Sequence, residues 1–193
     1  MHKGRLEAFS DGVIAILITI MVLELKTPQG TGWNALQPIL PTLLSYVLSF
    51  IFLGIYWNNH HHMFQTCDRV NGKVLWANLH LLFSLSLVPF VTNWTGENHF
   101  ASLPTSMYGF VFIMAALAYT ILQGCLIRLQ GPGSKLAIAV GKDVKGRASL
   151  ALYAIGILLA WYSHPWLGAG LYGMVALLWL VPDPRIETRL KDK

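Results

Sequence analysis

Long stretches of apolar residues without a charged side chain dominate this chain. No Asp, Glu, Lys or Arg occurs in residues 36–67, 74–94, 100–127 or 148–182. Each stretch reaches the roughly 20 residues that an α-helix needs to cross a bilayer core of ~30 Å. Together with a further apolar segment near the amino terminus, this pattern predicts an all-α integral membrane protein.

We predict six transmembrane helices per subunit, in a single membrane domain that covers residues 1–193. The predicted spans are 6–25, 38–64, 74–94, 103–127, 148–162 and 166–181. As one helix, the uncharged run at 148–182 would be about 52 Å long, which is too long for the bilayer even when tilted. Because Ser-His-Pro-Trp at 163–166 contains a helix-breaking proline, we divide the run into two short helices.

Composition and charge fit this arrangement with both termini in the cytoplasm. Only 12% of the residues are charged, about half of the roughly 25% that is usual in soluble domains. Six spans place every basic residue except Lys26 on the cytoplasmic side, as the positive-inside rule requires: Lys3, Arg5, Arg69, Lys73, Arg128, Lys135, Lys142, Lys145, Arg147, Arg185, Arg189, Lys191 and Lys193. A basic face beside anionic lipid accounts for the net charge of +5 without a nucleic-acid partner. We therefore expect a multi-pass protein of the cell membrane, in contact with the lipid bilayer.

The first predicted helix combines charge with a strongly apolar sequence. It opens with Arg-Leu-Glu-Ala-Phe-Ser-Asp-Gly at residues 5–12. Successive residues of a helix are rotated by 100° about its axis, so five positions lie within about 60° of one line along the helix surface. They are Gly12, Ile16, Thr19, Ile20 and Leu23. Ser10 and Asp11 lie roughly 120–140° from that line, and an ionised Asp11 inside a span needs a protein partner. The pattern predicts one face of branched apolar residues with a single hydroxyl, and a polar patch directed at neighbouring helices.

The polar patch carries a resemblance to a known family. Residues 5–11 form an R-x-x-x-F-S-D sequence, which resembles the signature at the start of the first helix in the transmembrane-protein-175 family of potassium channels. Residues 56–61, Tyr-Trp-Asn-Asn-His-His, are similar to that family's W-x-x-H pattern, and the third span adds Asn78 and Ser-Leu-Val-Pro-Phe at 86–90. In span number and length the whole chain resembles the bacterial members, which are single six-helix units.

The resemblance implies a homotetrameric potassium channel in which four copies of the first helix line a central pore. It places the narrowest ring at Ile16, five residues after the signature Asp, and a hydroxyl implicated in selectivity at Thr19. Ile20 and Leu23 would continue the lining outward. Because the sequence contains no T-V-G-Y-G carbonyl filter, selectivity is expected from pore width, partial dehydration and the threonine ring.

The resemblance also implies a structural polar network. Arg5 and Asp11 are about 120° apart on a helix, so they are poorly placed to bind each other directly. The family places a histidine near the signature arginine, and we expect His60 to bridge to it. The expected network consists of Arg5, Phe9, Ser10, Asp11 and His60. The sequence assigns no role to His61, His62 or Cys67.

A metal site, an enzyme and a transporter are the alternatives to a channel. Residues 60–62 are consecutive histidines, followed by Cys67 and Asp68. Neighbours on a helix point 100° apart and no second ligand occurs four residues away, so we predict no metal site. No span pairs a nucleophile with a base, and no cofactor motif occurs, so we expect neither an enzyme nor a cofactor. A proton-coupled transporter of small solutes or ions is the alternative function, because Asp11, Glu24 and the histidines could relay protons.

Overall fold

The computed structural model describes residues 3–67, 69–141 and 143–180, and within these ranges the chain is built from α-helices and one 3-10 helix. The elements are α1 Gly4–Leu23, a 3-10 helix Trp33–Ile39, α2 Leu40–Gln65, α3 Gly72–Ser86, α4 Val88–Glu97, α5 Ser102–Gln130, α6 Lys135–Val140, α7 Val144–Tyr162 and α8 Pro165–Leu180. Asp68, Lys142, the end of the sixth predicted span at 181 and the basic tail lie outside the described residues.

Five helical units of the described residues are long and apolar enough to cross a membrane: Gly4–Leu23, Trp33–Gln65, Gly72–Glu97, Ser102–Gln130 and Val144–Tyr162. The apolar α8 has 16 residues and is about 24 Å long. It begins at Pro165, three residues after α7 ends at Tyr162, where the sequence predicts a break. The prediction of an all-α, multi-pass membrane protein is confirmed.

The third span differs from the single helix predicted for 74–94. It consists of α3 and α4, which are separated at Leu87. Pro89 has no N–H to donate to the carbonyl four residues earlier, so the regular hydrogen bonding of the helix cannot continue through it. The backbone N–H of Leu87 turns back to the carbonyl of Ser84 at 3.4 Å. The span therefore crosses as two helical segments.

The loop between α5 and α7 also contains more structure than the sequence suggests. α6 forms there, and α7 begins at Val144, four residues before the predicted start of its span. The side chain of Asp143 caps α7 by accepting a hydrogen bond from the backbone N–H of Gly146 at 3.1 Å. An aspartate in this position satisfies one of the free N–H groups of the first helical turn.

α5 lies in the middle of the bundle and packs against α3, α4, α7 and α8. Aromatic rings fill much of this core, with Tyr172 of α8 among Tyr108, Phe112 and Tyr153. Gly109 and Gly156 face Tyr172 so closely that a Cβ atom at either position would overlap its ring. Small residues permit this close approach of helices, as is common within membranes.

Buried hydroxyls join α2, α4 and α5. The Ser49 hydroxyl lies 2.6 Å from that of Thr92 and 2.8 Å from that of Tyr108. Polar groups inside a bilayer need partners within the protein, because no water is available to them there. These contacts hold α2 in the position from which it supports α1.

Candidate functional site

The two sides of α1 differ in what covers them. One side is buried against α2, α3 and α4, and its buried residues are Leu6, Ser10, Ile14, Leu17 and Met21. The opposite side is left uncovered by the other described residues. It carries all five positions of the predicted apolar face, Gly12, Ile16, Thr19, Ile20 and Leu23. Ile16 is 57% exposed and Leu23 is 81% exposed.

Thr19 is the hydroxyl on this uncovered face. Its Oγ1 donates a hydrogen bond to the carbonyl of Ile16 at 2.8 Å, one turn back along α1. A hydroxyl has one proton and two acceptor lone pairs, so this bond leaves the lone pairs for other partners. Thr19 therefore offers hydrogen-bond acceptors on the uncovered face, which is the polarity that a cation requires.

Ser10 belongs to a buried chain of hydrogen bonds between three helices. The side-chain amide of Asn78 in α3 donates to the hydroxyl of Ser10 at 2.9 Å. The carbonyl oxygen of Asn78 lies 2.8 Å from Nε2 of His60 in α2. The Ser10 hydroxyl in turn donates to the carbonyl of Leu6 at 2.9 Å. Since all three side chains are almost fully buried, they connect α1, α2 and α3 at depth.

Asp11 has a different partner on α2. The indole Nε1 of Trp57 donates to the Asp11 carboxylate at 3.0 Å. Trp57 stacks on His61, with ring centroids 6.0 Å apart. The side-chain amide of Gln65 donates to His61 at 2.8 Å. The Asp11 carboxylate, which is predicted to need a protein partner, thus has one in Trp57. His61 and Gln65 in turn support Trp57.

Arg5 and Phe9 do not join this network within the chain. Arg5 is exposed and makes no hydrogen bond or ion pair with the described residues. His60 is paired with Asn78, so the expected bridge from His60 to Arg5 is not seen. Phe9 is 55% exposed. Trp57 and Asn78 bind Asp11 and Ser10, but the expected network does not include them. Both occur in the sequence segments that resemble the family, but which side chain each of them binds depends on how the helices pack.

A cleft of about 500 Å³ lies beside the C-terminal half of α1. It is lined by Leu17, Ile20, Glu24, Ser86, Pro89, Phe90, Asn93, Trp94 and Glu97. Next to it, Lys26 forms an ion pair with Glu97. The hydrogen bond and the negative charge of Glu97 raise the pKa of Lys26 above its ordinary value. This end of α1 therefore carries charge, whereas the uncovered face between Asp11 and Glu24 has none.

The three consecutive histidines at 60–62 and the nearby Cys67 are the residues whose types suit a metal ion. In the part of the chain that the structure describes, no three or more His, Cys, Asp or Glu side chains are grouped closely enough to hold a metal ion. The buried thiol of Cys67 donates to the carbonyl of Met63 at 3.2 Å. Its environment is that of a packed helix end.

Known proteins resemble this chain in both sequence and fold. The sequence profile of the family described as the endosomal/lysosomal potassium channel TMEM175 matches residues 5–89. A potassium channel of Chryseobacterium sp. (strain P1-3) is 57% identical over 192 residues and all of both chains. A potassium channel of Streptomyces collinus is 32% identical over 97% of this chain and 96% of its own. The crystal structure of a lysosomal potassium-selective channel TMEM175 homologue from Chamaesiphon minutus matches with a TM-score of 0.81 and 28% identity, over 94% of this chain and 97% of that one. The R-x-x-x-F-S-D segment, the helical bundle and these full-length similarities have one common explanation: the chain belongs to the TMEM175 family.

Proposed function

We propose that this protein is a potassium-selective ion channel of the cell membrane, in which four copies of α1 surround the ion path. The bacterial relatives that match along the whole chain are named potassium channels. The relative of known structure is described as potassium-selective. The observation that carries the proposal is the uncovered face of α1, because it differs from an ordinary lipid-facing surface in one respect.

That difference is the placement of Thr19 among branched apolar residues. On a face that meets only lipid, the acceptor lone pairs of the Thr19 hydroxyl would have no partner, because lipid tails offer none. In a pore, the same oxygen replaces part of the water that a cation loses on entry. Ile16 lies on the same face one turn earlier.

Four copies of this face would give a sequence of rings along one axis. By the helix rise, the Thr19 ring follows the Ile16 ring by about 4.5 Å, and the Leu23 ring lies about 10.5 Å beyond Ile16. Ile20 would line the path between the Thr19 and Leu23 rings. Isoleucine side chains hold water poorly, so the Ile16 ring would form the narrowest, hydrophobic constriction, which ions cross when the side chains move apart.

A homotetramer follows from the need to enclose such a path. One helix face cannot surround an ion, and cyclic symmetry is the usual means of closing a ring from identical subunits. The cleft beside Leu17 and Ile20 provides room for a few side chains of a neighbouring subunit. We place both termini in the cytoplasm, with six spans per subunit, because this arrangement leaves only Lys26 among the basic residues on the outer side.

Reconstitution of the purified protein in planar bilayers tests conduction. With potassium chloride on one side and sodium chloride on the other, the current is expected to reverse close to the potassium equilibrium potential. Bilayers without protein provide the baseline. Absence of current, or a reversal potential that does not distinguish the two cations, would contradict the proposal. Uptake that stops when the proton gradient is removed would instead favour the transporter alternative.

Cross-linking tests the assembly separately. Cys67 and Cys125 are first replaced by alanine, and Ile16→Cys is introduced as the single thiol. Four subunits around an axis bring these thiols together, so oxidation should yield covalent dimers from tetramers that are intact by native mass measurement. A matched variant with the thiol at Ile14, which is buried on the opposite side of α1, should not cross-link. Monomers alone in the native measurement would overturn the pore arrangement.

A further inference from the structure

A second cavity lies away from α1, between α2, α5, α7 and α8 of the same chain. Its volume is about 50 Å³, and its lining residues are Phe52, Ile55, Tyr56, Asn59, Ala116, Tyr119, Thr120, Asp143, Gly146, Ser149, Tyr153 and Trp179. The lining positions on α2 and α7 recur every three or four residues, so each helix presents one continuous side to the cavity. Neither Trp57 nor His60, which support α1, lies on that side of α2.

Five of the twelve lining residues are aromatic. Tyr56 and Tyr119 meet edge to face, with centroids 6.2 Å apart, and Phe52 lies 6.1 Å from Tyr153. Trp179 closes the cavity from α8, and its indole N–H donates to the Ser149 hydroxyl at 2.8 Å. The faces of such rings carry partial negative charge and attract cations. The Trp179 ring already has the ammonium group of Lys145 at 5.8 Å from its centroid, which leaves the four rings of Phe52, Tyr56, Tyr119 and Tyr153.

Polar groups without protein partners point to a ligand. Tyr153 is 2% exposed and Tyr56 is half buried, and no described residue makes a hydrogen bond to either hydroxyl. Tyr119 differs, because it donates to the backbone carbonyl of Asn59 at 3.3 Å. Both tyrosines line the cavity, so a hydrogen-bonding group placed in it would find two hydroxyls that no described residue uses.

A carboxylate completes the lining at the N-terminus of α7. Oδ1 of Asp143 caps the helix through Gly146. Within the described ranges, Asp143 takes part in no salt bridge. It is half buried, and its backbone φ of 42° is one that residues other than glycine rarely adopt. One carboxylate oxygen is thus held by the cap, while the other is available to a cation.

We propose that this cavity binds a primary ammonium group, held by Asp143 and the ring faces, with its N–H donors directed to the free tyrosine hydroxyls. A water requires about 10–15 Å³ of such space, so the cavity takes a group of a few non-hydrogen atoms, the size of an aminoethyl group. That group occurs in free ethanolamine and in the headgroup of phosphatidylethanolamine. The site needs no pore, so the proposal is independent of conduction.

Ligand-observed NMR with purified protein in deuterated detergent and sodium buffer tests the site. Methylammonium chloride is the probe, and methanol is its neutral counterpart of equal size. Saturation transfer from the protein to the methyl protons should be seen with methylammonium and be much weaker with methanol. Equal transfer to both, or none to methylammonium, would overturn the proposal.

Two conservative variants assign the binding to this cavity. Asp143→Asn removes the charge but keeps a side-chain acceptor for the α7 cap, and should weaken methylammonium binding about tenfold. Tyr153→Phe removes only the hydroxyl and should weaken it by a smaller factor. Tyr162→Phe, the same change at an exposed position of α7, should leave it unchanged. Wild-type affinity in Asp143→Asn protein of unchanged melting temperature would show that methylammonium binds elsewhere.

The source of the ammonium group is decided by competition. Ethanolammonium chloride should displace methylammonium if a free amine is the ligand. In lipid nanodiscs, phosphatidylethanolamine should abolish methylammonium binding if the headgroup is the ligand, whereas phosphatidylglycerol with the same acyl chains should not. Failure of both ethanolammonium and phosphatidylethanolamine to compete would overturn the assignment of an aminoethyl group.

Discussion

The indole nitrogen of Trp57 donates a hydrogen bond to Asp11 over 3.0 Å, and this contact ties α1 to α2 directly beside the uncovered face. Asp11 precedes Gly12, the first residue of that face. The preceding residue, Ser10, is held by Asn78 of α3. Two consecutive residues of α1 are thus attached to two different helices, which sets the rotation of α1 about its own axis and hence the direction in which Ile16 points.

We expect Trp57→Phe to destabilise the protein by about 1–2 kcal/mol, because a hydrogen bond to a charged group is lost while an aromatic ring is kept. The shift in the thermal unfolding midpoint of the purified protein measures it. Trp161→Phe provides the control, since Trp161 is exposed on α7. Equal midpoints for Trp57→Phe and the parent would mean that the contact with Asp11 is not held in solution.

Asn78→Ala should be more harmful, costing about 2–3 kcal/mol. It removes both the donor to Ser10 and the partner of His60, and buried polar groups without partners are costly. Thermal unfolding again provides the measurement. Asn98→Ala, at an exposed position, is the matched control, and a similar small effect of both substitutions would contradict the central role of Asn78.

Ile16→Asn is expected to increase conductance and to admit sodium more readily, because four asparagine side chains around the path would hold water where four isoleucines exclude it. Single-channel conductance and reversal potentials in bilayers measure the two effects. Ile16→Val keeps a branched apolar ring and should retain potassium preference. If Ile16→Asn protein conducts like the parent, residue 16 does not form the constriction.

Thr19→Val should lower the preference for potassium over sodium while leaving the apolar constriction intact. Valine has nearly the shape of threonine but lacks the oxygen that Thr19 offers on the uncovered face. Reversal potentials under opposing potassium and sodium gradients are the measurement. Thr19→Ser retains the hydroxyl and should preserve selectivity; the threonine ring would have no part in selectivity if valine and serine behaved alike.

The ion pair at the far end of α1 should respond to alkaline pH. Because Glu97 raises the pKa of Lys26 above its ordinary value of 10.5, the contribution of the pair to stability is fully present below 10.5 and is lost as pH rises through the raised value. Titration of the Lys26 side chain by carbon-13 NMR should give a lower pKa in Glu97→Gln protein than in the parent. Glu24→Gln should not reproduce this change.

Much of the bundle could be predicted from residue patterns, because apolar length and helical periodicity depend on the chain alone. The uncovered face of α1 is an example: counting 100° per residue gathers Ile16, Thr19 and Leu23, and the folded chain leaves them exposed. The break before Pro165 is another. The break at Leu87 is missed because hydropathy is insensitive to the single backbone hydrogen bond that Pro89 cannot make.

The supporting contacts of α1 could be predicted only in part. Periodicity shows that Ser10 and Asp11 point away from the apolar face, but not which helix they meet. Trp57 and Asn78 become their partners through the packing of α2 and α3, which brings together residues 46 and 68 positions apart in sequence. The cavity at Asp143 has the same origin, since four helices contribute to it and no segment alone contains it.

The hydrogen bonds of Ser10 and Asp11 also bear on the order of events during biogenesis. Both residues find their partners on helices of the same chain, so a single subunit can complete the hydrogen bonds of Ser10 and Asp11 without any neighbour. Folding of the subunit can then precede the proposed association, which is left with the apolar face that carries Thr19 and with the exposed Arg5. In the proposed tetramer, a change on that face that blocks association should therefore leave folded single subunits, whereas loss of the Trp57 or Asn78 contacts should lower the yield of folded subunits before association begins.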